Sequence, residues 1–208
     1  MKWNTKFAYP KSTRSLINGS RHYSLNGSNL PSVTTILSAT KSEEDKAAIL
    51  AWKQRVGNVE AERIKKEASA RGSSMHSYIE QFLYGKLNQE LLEDNNKSKK
   101  MAEEIIENGL KNKLLEIWGS EATIYYPGKY AGTADCIGVY EGKESILDFK
   151  QSNKPKKEEY IEDYFLQIGA YSLAHNTVYN SNITQGVILL CTVDLSLIHI
   201  SEPTRHRY

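Results

Sequence analysis

The feature that most constrains this chain is the stretch GTADCIGVYEGKESILDFKQSNK, residues 132–154, in which two apolar runs each carry an aspartate. Between the runs stands Glu141-Gly142, and glycine there suits a tight hairpin turn. With those two residues as the loop, Tyr140 pairs with Lys143, and counting outward brings Asp135 opposite Asp148. Directly opposed side chains have β-carbons about 5 Å apart. Two carboxylates at that separation repel by about 3 kcal/mol at an effective dielectric of about 20. A cation held between them removes the penalty, and hard oxygen ligands favour Mg2+ or Mn2+. Lys150, two residues beyond Asp148, points to the same face. The apolar neighbours Ile137, Val139, Ile146, Leu147 and Phe149 argue against a hairpin whose aspartates merely face water.

A divalent ion beside a lysine suits phosphodiester hydrolysis. The ion lowers the pKa of a bound water, and Lys150 orients that water or steadies the transition state. Other chemistries find no support, because the chain has neither a phosphate-binding glycine loop nor a GxSxG nucleophile elbow. The net charge is only +2, so nucleic-acid binding must come from local patches. Lys97-Ser98-Lys99-Lys100 and Lys154-Pro155-Lys156-Lys157 are the candidates, with solvated helix ends the alternative for each. At 208 residues, 39% hydrophobic and 25% charged, the chain is large enough for one soluble domain with a sizeable core. There is no signal-peptide pattern and no run of membrane-span length, so a cytoplasmic protein is expected. Cys136 and Cys191 are too few for an iron–sulfur cluster or zinc ribbon and read as buried free thiols.

Residues 1–31 read as short strands and turns, with turn signals at Asn18-Gly19 and Asn26-Gly27. PSVTTIL (31–37) is a β-branched run or the entry to a helix. Ser42 caps a helical stretch running towards Ala70, with a break at Gly57. A further helix covers 71–85, and the apolar spacing of Met101, Ile105, Leu110, Leu114 and Ile117 predicts another over 99–118. Strands follow at 120–126, 133–140 and 144–150, then a helix at 158–176 and a buried central strand at 184–193. This order predicts an α/β fold with a mixed central sheet flanked by helices and a helical N-terminal part.

The pattern Asp135…Asp148-Phe149-Lys150 resembles the PD-(D/E)XK nuclease superfamily. GTADCIG, ILDFKQS and LQIGAY resemble its RecB-type branch, with likeness to phage exonucleases over Pro31–Val193. The resemblance implies a restriction-endonuclease-like core and a metal-dependent DNA exonuclease acting on single strands or duplex ends, in phage-type replication, recombination or repair in the cytoplasm of a bacterial or phage-infected cell. It implies His76, within RGSSMH, as a metal ligand beside Asp135, Asp148 and the Phe149 carbonyl, with Lys150 as the catalytic lysine. QIGAY matches the QxxxY motif, so Gln167 and Tyr171 face the site and DNA from one helical face. Gln151 stands where many relatives carry threonine. Lys154, Lys156 and Lys157 are expected at phosphates. Glu80, one turn from His76, is open between orienting it and facing solvent; Glu121, opening the strand before the hairpin, is open between supporting the site and facing solvent, with solvent favoured. Partner proteins of replication or recombination are expected.

The alternatives are a nucleic-acid-binding module without turnover, a structure-specific endonuclease of the same superfamily, and a nuclease carrying an iron–sulfur cluster. The complete set His76, Asp135, Asp148 and Lys150 disfavours the first, and the cysteine count the last. Finally, Leu195 through Arg205 resembles a one-frame translation of a transposon-adapter sequence used in preparing DNA sequencing libraries. The nuclease domain is therefore expected to occupy 1–194. Residues 195–208, with His199 and His206, are expected to be foreign and to make few core contacts beyond Ser196.

Overall fold

The computed structural model describes residues 1–86, 96–155 and 161–203. Lys156 and Lys157 lie outside them. The fold opens with β1 (Lys2–Trp3) and a three-stranded antiparallel meander, β2 (Thr13–Ile17), β3 (Ser20–Leu25) and β4 (Ser28–Pro31). Both of its turns are the predicted Asn-Gly pairs, with positive φ at each residue, as a two-residue hairpin of this kind requires. The run at 31–37 resolves as a helix, α1 (Val33–Ala39), because the Ser32 hydroxyl accepts the Thr35 amide and caps it.

α2 (Glu43–Val56) starts at the predicted Ser42 cap and stops at Gly57, whose φ is 85°. α3 (Asn58–Leu83) then runs unbroken for 26 residues, where the sequence reading ended one helix near Ala70 and began another. Gly72 lies inside it without ending it, and a β-carbon there would reach only ordinary van der Waals contact with the Gln151 side chain at 3.7 Å.

The expected helix over 99–118 is also corrected. α4 (Lys97–Glu104) passes into a π-helical segment, Ile105–Leu110, and Asn112 then turns the chain with φ of 62°. Leu114 and Ile117 therefore belong to β5 (Leu114–Tyr126), which pairs with β6 (Tyr130–Tyr140). β7 (Lys143–Ser152) follows through the predicted Glu141-Gly142 turn, and α5 (Glu162–Tyr179) leads to β8 (Gln185–Thr192), buried throughout as its apolar run predicts.

With a last strand, β9 (Leu197–Pro203), the result is an α/β fold with a six-stranded mixed sheet, ordered β1-β5-β6-β7-β8-β9, in the restriction-endonuclease-like arrangement. α3 and α4 pack with Ile117, Cys136, Leu147, Phe149 and Leu189 on one side. α5, through Ile168, and the N-terminal segment pack with Ile137, Ile146 and Ile188 on the other. β9 (Leu197–Pro203) overturns the expectation of few contacts beyond Ser196: it pairs antiparallel with β8 from Cys191↔Leu197 to Gln185↔Pro203. The outer edge of β8 offers unpaired amides and carbonyls, and a β-branched tail can satisfy them. Cys136 and Cys191 are buried and free, as expected. Among the described residues no helix is long and apolar enough to cross a membrane.

Candidate active site

The hairpin register holds as predicted from Tyr140↔Lys143 to Cys136↔Leu147. At the next position it opens. Instead of continuing the ladder, the Asp135 carboxylate Oδ2 accepts the Phe149 amide N–H at 2.7 Å. The same point is irregular on the other side of β6. The pairs Ser120↔Cys136 and Ala122↔Ala134 bracket Glu121 opposite Asp135, and Glu121 takes a left-handed φ of 49°. Ordinary strand alternation puts residues two apart on one face. Here Cys136 packs with the α3/α4 layer and Ala134 with the α5 layer. The sheet thus breaks its pleat at Asp135, which opens one spot to side chains arriving from both layers.

From α3 comes His76, whose Nε2 lies 2.9 Å from the Phe149 carbonyl oxygen; its Nδ1 is 3.5 Å from Asp135 and 3.8 Å from Glu121. From α5 comes Gln167, whose amide donates to Asp148 Oδ1 at 3.2 Å and to the Tyr171 hydroxyl at 3.3 Å. Lys150 donates to Asp148 Oδ1 at 2.8 Å, stands 2.6 Å from its Oδ2 and lies 5.1 Å above the Tyr164 ring. Asp148 Oδ2, despite that close ammonium, makes no hydrogen bond of good geometry. The contact is electrostatic rather than directional, and it leaves a buried carboxylate oxygen with acceptor capacity unused.

The charges shift one another strongly. Burial and the neighbouring Asp135 charge push Asp148 up to about 6, with Lys150 opposing them. For Asp135, burial is outweighed by His76 and then Lys150, and its pKa is lowered. Burial disfavours a charged His76, but Asp135, Glu121 and Asp148 together outweigh it and raise the imidazole to about 10. Lys150 is likewise held charged, against burial, by Asp148 and Asp135. In physical terms, the carboxylates draw protons onto the nearest bases because positive charge is short at this spot.

The structure brings His76, Asp135, Asp148, Phe149, Lys150, Gln167 and Tyr171 together. It gives Gln151 a structural place: its amide donates to the Ala68 carbonyl at 2.9 Å, while Arg71 donates to its Oε1 at 2.8 Å and also to Asn153. This staples α3, and so His76, to the end of β7. Lys154 is exposed just beyond. Burial, then the Glu121 charge, raises the pKa of Glu80. One residue was missed: Arg71 carried no signal beyond its motif. Glu121 is exposed, as favoured, with 36% of its side chain in solvent, yet it also joins His76 and Asp135 in a cluster whose donor atoms lie within 4.8 Å of one another, a place only the less favoured alternative allowed. Counting back from the Pro127-Gly128 turn places it opposite Asp135. An imidazole, the carboxylate oxygens of Glu121, Asp135 and Asp148 and a backbone carbonyl form a donor set that fits a hard divalent cation.

No protein-family profile matches the chain. Among curated proteins, it is 30% identical over 192 residues to mitochondrial genome maintenance exonuclease 1 of Xenopus tropicalis, covering 86% of this chain and 53% of that protein. The human protein of the same name is 29% identical over 182 residues, covering 82% and 51%. The chain thus spans about half the length of the curated relatives it matches. Among solved structures, the crystal structure of SSO0001 superposes with a TM-score of 0.38 at 16% identity, over 75% of this chain and 62% of that one, too slight a likeness to carry an argument. Over most of its length, the chain is similar to part of proteins named as exonucleases.

Proposed function

We propose that the chain is a divalent-metal-dependent deoxyribonuclease, an exonuclease that hydrolyses phosphodiester bonds at single-stranded or duplex DNA ends. The observation that carries this reading is the meeting of Asp135, His76 and the Asp148–Lys150 pair at one break in the sheet. His76, Asp135, Asp148 and the Phe149 carbonyl would hold Mg2+ or Mn2+. A divalent ion bound there supplies Lewis acidity and lowers the pKa of a coordinated water. The chain's own groups do the rest. Lys150, fixed by Asp148 and Gln167, holds a positive charge where a phosphate oxygen or the attacking water must be oriented. Gln167, fixed by Tyr171, keeps Asp148 Oδ1 in place. Arg71 and Lys154 flank the mouth as phosphate contacts.

The names of the curated relatives support an exonuclease acting on DNA in genome maintenance. They are mitochondrial, so they lend no support to the bacterial or phage setting expected from the sequence. The test uses end-labelled single- and double-stranded DNA, linear and circular, with Mg2+ or Mn2+ and with chelator. Metal-dependent release of short products from linear substrates alone is the expected result. Cleavage of circles would make the protein an endonuclease, and binding without any cleavage would make it a non-catalytic module.

A further inference from the structure

Seven non-glycine residues among those described adopt left-handed backbone. Asn18, Asn26 and Glu141 lie in hairpin turns, Asn112 and Leu195 in other turns, and Asn180 caps α5. Glu121 alone sits inside a paired strand. Side chains larger than glycine rarely take this conformation, and asparagine and aspartate tolerate it better than glutamate. Strain of this kind persists only where the surroundings hold it, and it gathers at functional positions. By itself it names no ligand.

The ligand is indicated by what Glu121 faces. Its carboxylate oxygen lies 3.8 Å from His76 Nδ1, opposite Asp135, and the three donor groups fall within 4.8 Å of one another. That spread is slightly wider than ligands about 2.1 Å from one octahedral ion allow, so a small closure suffices. A second observation lies beside the cluster: Lys150 is committed to the buried Asp148, 2.8 Å from its Oδ1 and 2.6 Å from its Oδ2, and so leaves the facing carboxylates of Glu121 and Asp135 to another cation. Formal charge agrees. Three carboxylates at Glu121, Asp135 and Asp148 stand against one lysine, Lys150, so two negative charges remain once His76 gives up its proton, as a metal-ligating imidazole must.

We propose that Glu121 is a cation ligand, which completes from β5 the divalent-ion site to which His76 and Asp135 contribute. The inference rests on the metal-dependent reading given above. It adds that the left-handed turn at Glu121 exists to deliver this carboxylate.

The test is calorimetric titration of Mn2+ into the metal-free protein, in the absence of nucleic acid, for the parent, E121Q, E121G and D135N. E121Q keeps the shape and removes the charge; it is expected to weaken Mn2+ binding at least tenfold. E121G relieves the backbone and removes the carboxylate, so its metal-free thermal midpoint should hold or rise while its affinity falls as far as that of E121Q. Parent-like affinity in either Glu121 variant, alongside loss of binding in D135N, overturns the inference and leaves the metal centre intact. Undiminished binding in D135N would instead overturn the metal-centre reading on which it rests.

Discussion

A β-carbon on Gly132 would stand 2.6 Å from the Tyr171 hydroxyl oxygen and still nearer its ring. Tyr171 in turn accepts from Gln167, which holds Asp148. The glycine of GTAD is therefore what lets α5 seat its motif against β6. Gly132→Ala should displace Tyr171, loosen the contact from Gln167 to Asp148 and destabilise the fold by about 1–3 kcal/mol, as overpacking does. Thermal unfolding would show a midpoint lower by roughly 2–4 °C per kcal/mol in a chain of this size. Cleavage should fall in the same variant, and an unchanged midpoint would show that Tyr171 moves aside freely.

Replacing Asp148 by alanine should abolish cleavage while leaving DNA binding measurable, because it removes a proposed metal ligand and the partner of Lys150 rather than the phosphate contacts. Filter binding and single-turnover cleavage on the same preparation separate the two. Cleavage within a few-fold of the parent would place the chemistry elsewhere.

The parts of this site that were legible in the sequence are those that a turn fixes. Glu141-Gly142 set the register, and the register set Asp135 near Asp148. Resemblance supplied His76, Gln167 and Tyr171, which come from helices whose docking no local pattern encodes. What stayed illegible was the departure from regularity. Nothing in a string of residues announces that Glu121 turns left-handed within a strand, or that the pleat reverses at Asp135. The same limit explains the false helix at 99–118: Leu110, Leu114 and Ile117 are spaced for a helix, and Asn112 carried too weak a signal to end it.

His175 lies on the far side of α5, fully buried, with Nε2 at 3.0 Å from the Tyr9 hydroxyl and Nδ1 at 2.7 Å from Ser181 Oγ. Phe7 and Tyr179 pack on its ring, and Lys6 is the charge nearby. Burial, then Lys6, pushes its pKa down to about 4. The unfolded chain, with an ordinary histidine pKa of about 6.5, thus binds a proton that the folded chain refuses between those values. Stability from this residue is complete above about 6.5 and is lost as pH falls towards about 4. Between pH 7 and pH 5 the loss is about 2 kcal/mol. Urea titrations at the two pH values should show it, and His175→Gln should flatten the difference although it lowers stability at both. An equal slope in the variant would assign the pH dependence to other groups.

The last prediction concerns β9. Its residues resemble adapter-derived sequence, yet they pair with β8 along most of that strand, and Leu197 and Ile198 pack against the two core clusters. Uncovering β8 would expose an edge of buried apolar residues and leave its outward amides and carbonyls to water, the arrangement that invites intermolecular pairing. A chain ending at Asp194 should therefore unfold several degrees lower than the full chain and aggregate at lower concentration. Calorimetry and light scattering on the two lengths decide it. If the midpoint holds and the shortened chain stays monomeric, the pairing contributes nothing to the fold, and residues 195–208 are the foreign appendage that their sequence implies.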